Sequence, residues 1–147
     1  MKITNLFTFA TALLLMACNK PAQPVIPQES NFKGTVTVIY QDAPFDNENI
    51  EVNFKPSADG KTGSLTIYQI KFVPQMPVTI DVTIPNINVT STPEQINLEC
   101  ARVIPLAMGG EYPRYTVTDL KGSIVGKEIS FSLHFGSVPT SYKGKLE

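Results

Sequence analysis

Leu120-Lys121-Gly122-Ser123-Ile124-Val125-Gly126-Lys127-Glu128-Ile129-Ser130-Phe131-Ser132-Leu133 reads as two β-strands folded back on one another. Apolar and polar residues alternate on both sides of Gly126-Lys127, the two-residue period of a pleated strand with one buried face. Glycine at the first central position of a two-residue connection supplies the positive φ that a type II′ turn needs. That turn sets the register: Val125 faces Glu128, Ile124 faces Ile129, Gly122 faces Phe131 and Leu120 faces Leu133. One face is then apolar throughout, with Phe131 covering the glycine opposite it. The other face pairs Ser123 with Ser130, Lys121 with Ser132 and Asp119 with His134. A slip of one residue would mix the two faces, so turn chemistry and pattern agree on one register.

The same period runs outward from this hairpin through everything after Gly34. Ile50, Val52 and Phe54 alternate with Glu51, Asn53 and Lys55, and Val78, Ile80, Val82 and Ile84 alternate with Thr79, Asp81 and Thr83. Ile96, Leu98 and Cys100 alternate with Asn97 and Glu99. The alternation predicts an all-β domain of eight strands at about 34–40, 50–55, 64–72, 78–90, 96–104, 115–125, 128–135 and 142–146, with no helix. Pro85 interrupts the fourth strand, and its apolar phase slips from Ile84 to Ile87 and Val89, which predicts a bulge or corner. A similar slip from Ile67 to Tyr68 marks the third. The first and last strands echo each other, Phe32-Lys33-Gly34-Thr35-Val36 against Tyr142-Lys143-Gly144-Lys145-Leu146. With eight antiparallel up-and-down strands these two run antiparallel, and pairing them closes a barrel and removes its exposed edges. A two-sheet β-sandwich satisfies the same alternation and stands as the alternative.

The N-terminus has a different character. Lys2 is followed by the apolar run Leu6–Met16, about eleven residues and too short to span a bilayer comfortably, and the run closes on Leu15-Met16-Ala17-Cys18. This is similar to a lipobox, the end of a bacterial lipoprotein signal. The resemblance implies removal of residues 1–17 and attachment of lipid to Cys18, which would anchor the mature chain to a membrane. Residues 18–31 carry Pro21, Pro24 and Pro27 and read as an extended tether. Thirteen residues at about 3.1 Å each reach roughly 40 Å. Residues 32–147 are then one small domain. The expected location is the bacterial cell envelope, at the outer membrane, on either face.

Composition excludes more than it selects. Removing 1–17 takes one lysine from 12 basic groups set against 13 acidic ones, so the domain is close to neutral with a slight negative balance. No basic stripe with interleaved aromatics suggests nucleic acid. With Cys18 bound to lipid, Cys100 has no partner for a disulfide and reads as a buried, inert small hydrophobe. Asp42, Asp46, Asn47 and Glu48 share a loop, but without the ligand spacing and turn glycine of a calcium loop, so no metal is expected. Asp119 and His134 fall on the polar outer face with no nucleophile placed beside them, a surface pair rather than half of a catalytic relay. Asn88-Val89-Thr90 matches a glycosylation acceptor that has no expected use in a bacterial lipoprotein. No catalytic residue and no cofactor are expected.

The glycine-opened first strand, Val82-Thr83-Ile84-Pro85-Asn86-Ile87, and Leu120-Lys121-Gly122-Ser123-Ile124 followed by Lys127-Glu128-Ile129-Ser130-Phe131 resemble the calycin-like lipoproteins of Bacteroides-type bacteria. The resemblance covers most of 32–147. It implies an eight-stranded antiparallel lipocalin-like barrel on an envelope tether, and brings no established activity. Up-and-down order gathers loops 41–49, 73–77, 105–114 and 136–141 at the end away from the tether. There Phe45, Met76, Met108, Tyr112 and Arg114 are the candidate ligand- or partner-facing residues. Two readings stay open. These side chains either line a mouth that takes a small apolar or amphipathic ligand, with Arg114 gripping its carboxylate, or plug a filled barrel that docks another envelope protein.

Overall fold

The computed structural model describes residues 22–147; Cys18 and the signal segment lie outside the described residues. Ten strands follow in chain order: β1 (Ser30–Tyr40), β2 (Ala43–Pro56), β3 (Thr62–Ile70), β4 (Ile80–Ser91), β5 (Ile96–Val103), β6 (Leu106–Ala107), β7 (Gly110–Glu111), β8 (Val117–Val125), β9 (Glu128–Phe135) and β10 (Val138–Leu146). A 3-10 turn, Pro113–Tyr115, precedes β8. Eight of the strands form a closed antiparallel ring, β1-β2-β3-β4-β5-β8-β9-β10 and back to β1. Closure rules out the open sandwich. The short hairpin β6–β7 hangs from the upper half of β4, where Val82 pairs with Ala107.

The ring closes where the echo between the first and last strands places it. Phe32 pairs with Leu146, Val36 with Tyr142, and between them Gly34 lies opposite Gly144. A Cβ on Gly34 would run into the Lys143 carbonyl, and one on Gly144 would collide with the Tyr142 ring. Gly34 lets the two backbones approach, and bare Gly144 gives the Tyr142 side chain its room. It is 1% exposed, tilts against Phe131 at 5.3 Å, and donates its hydroxyl proton to the Ile50 carbonyl at 3.0 Å. Ile50 borders a bulge where the β1–β2 register slips between Gly34/Ile50 and Val36/Asn47.

Four non-glycine residues within the ring strands sit at positive φ: Asn49 on β2, Gln69 on β3, Asn86 on β4 and Asp119 on β8. Each lies at a register slip. Bulges of this kind raise local twist and bend a sheet enough to close it. Those on β3 and β4 stand where the Ile67/Tyr68 and Pro85 phase slips predict them. The bulge at Asp119 overturns part of the predicted hairpin register. Val125/Glu128 through Lys121/Ser132 pair as expected, and only Gly126 of the turn has positive φ, as a type II′ turn requires. Below Lys121 the register shifts, so His134 faces Thr118 rather than Asp119.

Two expected loops are strand. β2 begins at Ala43, so the segment expected as loop 41–49 shrinks to a Gln41-Asp42 turn with both residues at positive φ. Its polar run belongs to a strand because its side chains have strand partners. Thr37 donates its hydroxyl to Asp46 Oδ1 at 2.7 Å. Buried Asn47 donates from Nδ2 to the Lys71 carbonyl at 3.1 Å and accepts the Lys71 N–H on Oδ1 at 2.9 Å. A side-chain amide there continues the ladder after the β2–β3 backbone pairing stops at Val52/Ile67. β10 likewise starts at Val138, which leaves Gly136-Ser137 as a tight turn.

The interior is filled. Phe32, Phe54, Phe72, Phe135 and Tyr142 are among the largest fully buried side chains, packed with Leu65, Ile67, Ile84, Leu98 and Leu120. At the entry end, Ser30 already pairs with Phe54, and Val25 donates its N–H to the Thr92 carbonyl at 2.9 Å. The second half of the proline-rich segment therefore lies against the barrel, so the extended stretch expected over residues 18–31 does not run free as far as Asn31.

Burial, and then the Glu147 and Glu51 carboxylates, push the Tyr142 hydroxyl well above its usual 10.0. The fold therefore holds the neutral phenol, and its contribution is complete below about pH 10 and is lost as pH rises through the tyrosine range of the unfolded chain. Tyr142→Phe should cost about 1–3 kcal/mol by leaving the Ile50 carbonyl unpaired. Denaturant titrations should then show a smaller loss of stability from pH 9 to pH 11.5 in the variant than in the parent chain, by about a unit of pH-linked free energy or less. Equal losses would show that the hydroxyl carries none of the alkaline sensitivity.

Candidate functional site

The ring sorts its connections by end. Turn 41–42, loop 71–79, segment 104–116 and turn 136–137 gather at one end, and loops 57–61 and 92–95 with turn 126–127 gather at the other, where the chain enters. The first is the richer in sequence and contains all five candidate residues.

Aromatic stacking organises that end. Phe72, 1% exposed, stacks on Tyr115 with ring centroids 4.2 Å apart and meets Phe135 edge-on at 5.0 Å. Tyr115 in turn stacks with Tyr112 at 5.4 Å. Edge-on and offset rings of this kind add to the stabilisation from burial alone. The loop after β3 is folded over them, with Phe72 donating its N–H to the Met76 sulfur at 3.1 Å. The 3-10 turn is held by the Tyr112 N–H on the Pro105 carbonyl at 2.9 Å.

Of the candidates, Phe45, Met76 and Tyr112 are half-buried and pack against the core. Arg114 is exposed, its guanidinium carbon 5.8 Å from the Tyr115 ring centroid, in the range of a cation–π contact. Met108 points the other way. It occupies the tip of the β6–β7 hairpin with Gly109, both at positive φ, and is 69% exposed. The structure thus brings Met76, Tyr112 and Arg114 onto or over an aromatic plug, packs Phe45 against the core, and leaves Met108 exposed at the hairpin tip. Phe72 and Tyr115, the centre of the plug, fall at the ends of the strands expected at 64–72 and 115–125, where alternation carries no sign that they stack.

The titratable groups are dispersed. Asp119 Oδ2 lies 4.0 Å from His134 Nδ1 on the outer face, and Nδ1 has no hydrogen-bond partner among the described residues. The shallow groove beside them, about 210 Å³, contains Ser132 and Ser141, and no hydroxyl bonds to the imidazole among the described residues. Elsewhere on this face charges oppose one another: Lys145 faces Glu128, Lys121 faces Glu99, and Lys33 faces Glu51 and lies 3.9 Å from Glu147. Glu51, hydrogen-bonded to and repelled by Glu147, has its carboxyl raised above the usual range. Cys100 is buried, and loss of solvent pushes its thiol up, away from the reactive thiolate. No group of three or more His, Cys, Asp or Glu residues able to hold a metal occurs among the described residues.

No family model matches the chain, and no curated protein or solved structure matches it either. The geometry of the loop end therefore bears the functional argument.

A plug and a binding surface respond differently to truncation. Phe72→Ala should cost about 3–5 kcal/mol in chemical denaturation, as for other large aromatic core residues. Met108→Ala should stay within about 0.5 kcal/mol. A comparable cost for both would mean that Met108 is part of the packed end rather than a projection from it.

Proposed function

We propose that the chain is a lipid-anchored envelope protein whose filled barrel works as a non-enzymatic interaction module, presenting its loop-rich end to another envelope protein. One observation carries the reading. The stack of Phe72, Phe135, Tyr115 and Tyr112 occupies the end where a barrel of this class would admit a ligand, while the β6–β7 hairpin lifts exposed Met108 clear of it. A small apolar ligand would have to displace buried Phe72, whereas a partner protein can use the projecting hairpin as it stands. Flexible methionine is well suited to such a contact.

The anchor belongs to the same proposal. Its support is Leu15-Met16-Ala17-Cys18 at the close of an apolar run. The calycin-like lipoproteins of Bacteroides-type bacteria remain the proposed kinship, supported by the strand motifs and by the eight-stranded closed ring. Outer-membrane residence is proposed on the same basis.

Fractionation and native mass spectrometry test the two parts together. Cys18→Ser should move the protein from the membrane to the soluble fraction; persistence in the membrane would refute the anchor. Native mass spectrometry of protein from its own host membranes should show a protein partner that is lost with Met108→Asp and no retained small molecule. A bound lipid-sized ligand, with unchanged partner mass in Met108→Asp, would overturn the module reading in favour of carriage.

A further inference from the structure

The plain end of the barrel, where the chain enters, carries an apolar surface that the proposed function does not use. The entering segment does not leave the barrel axially. It crosses the mouth, tied by the Val25 N–H on the Thr92 carbonyl at 2.9 Å, before joining β1. Between this strap and the strand ends lies a groove of about 470 Å³ whose apolar lining, Val25, Ile26, Phe32, Ile96, Ile124 and Leu146, is bordered by Gln28, Ser30, Glu94 and Gln95. Phe32, Ile96 and Ile124 form its buried floor, and its rim is open: Ile26 is 76% exposed and Leu146 41%, with Val125 at 50% beside the neighbouring turn. Exposed apolar side chains grouped around one groove mark a contact surface rather than scattered surface residues.

We propose that this end rests on the lipid bilayer, with Ile26, Val125 and Leu146 seated at the headgroup–acyl boundary, so that the domain stands on the membrane instead of swinging from its tether. The inference rests on lipidation of Cys18. Its occupant follows from chain length: Val25 is seven residue steps from Cys18, a span of at most about 25 Å even when fully extended. The plain end is thus held close to lipid at all times, and no diffusing partner reaches a comparable local concentration. Charge points to a neutral surface. In the turns of this end Asp59 and Glu94 stand against Lys61 and Lys127, and Lys145 is opposed by Glu128, so apolar contact rather than attraction to anionic lipid drives the seating. The loop end with Met108 then faces away from the membrane.

The chain contains no Trp, which makes single-tryptophan reporters clean. The lipidated full-length protein is reconstituted into phosphatidylcholine vesicles with and without acyl-brominated lipid, as Ile26→Trp and, separately, Met108→Trp. Ile26→Trp emission should shift to the blue and be quenched by brominated lipid, unchanged by added salt, while Met108→Trp emission should be neither shifted nor quenched. Solvent-exposed, unquenched emission from Ile26→Trp in vesicle-bound protein would overturn the seating and leave the anchor standing. A blue shift without quenching would also overturn it, assigning the groove to a second copy of the chain or to the anchor's own acyl chains. Protein that fails to associate with vesicles, although intact at Cys18, would overturn the anchor and the seating together. Quenching of Met108→Trp alone would reverse the orientation and refute the proposal.

Discussion

The close approach of Gly34 and Gly144 across the β1–β10 seam is the constraint on which the barrel depends. A sheet that must bend back on itself needs its first and last strands to meet without side chains in the way, and this chain removes them from both strands at the same level. The vacated space is filled by Tyr142, whose ring replaces the lost apolar contact and whose hydroxyl satisfies the Ile50 carbonyl beside a bulge. Filling, hydrogen bonding and closure are thus one arrangement. A β-branched residue at either glycine would oppose all three.

Closure decides where function can lie. With every ring strand paired on both sides and the interior occupied by phenylalanines and aliphatic residues, neither an open sheet edge nor a central cleft is part of the ring. What remains is the outer face and the two ends. The outer face is polar and mixed in charge, with Lys121, Lys145 and Lys33 each facing a glutamate on one side and Lys33 facing Lys145 across the seam. The ends differ in kind. One is sealed by stacked aromatics beneath a projecting hairpin, and the other is an apolar groove crossed by the entering chain. This asymmetry, rather than any cluster of reactive groups, is the molecule's clearest functional feature.

The elements legible in the sequence are those set by local chemistry or strict alternation. Gly126 dictates the tight turn, Pro85 marks the β4 bulge, and the repeated glycine in the terminal strands marks the seam. The parts that escaped depend on partners distant in sequence. Asn47 reads as loop because it is polar and sits among acids, yet it pairs with the backbone of Lys71. Asp119 reads as an ordinary strand residue, and only its positive φ in the fold shows that it absorbs an extra position. Phe72 and Tyr115 read as strand ends because alternation stops there, with nothing local to say that they stack on each other. Of the candidate site, the sequence places the five residues at one end of the ring, as the fold does. It does not distinguish a plugged end from an open one, since both present the same residue types.

Hydrogen exchange across the seam tests closure most directly. The β1–β10 amides that donate across Thr35/Lys143 and Thr37/Ser141 should exchange only through global unfolding, with the same free energy as amides of the β8–β9 hairpin. Rapid exchange at the seam beside slow exchange in the hairpin would show a sheet that opens between its first and last strands, and would contradict a barrel held shut by Gly34, Gly144 and Tyr142.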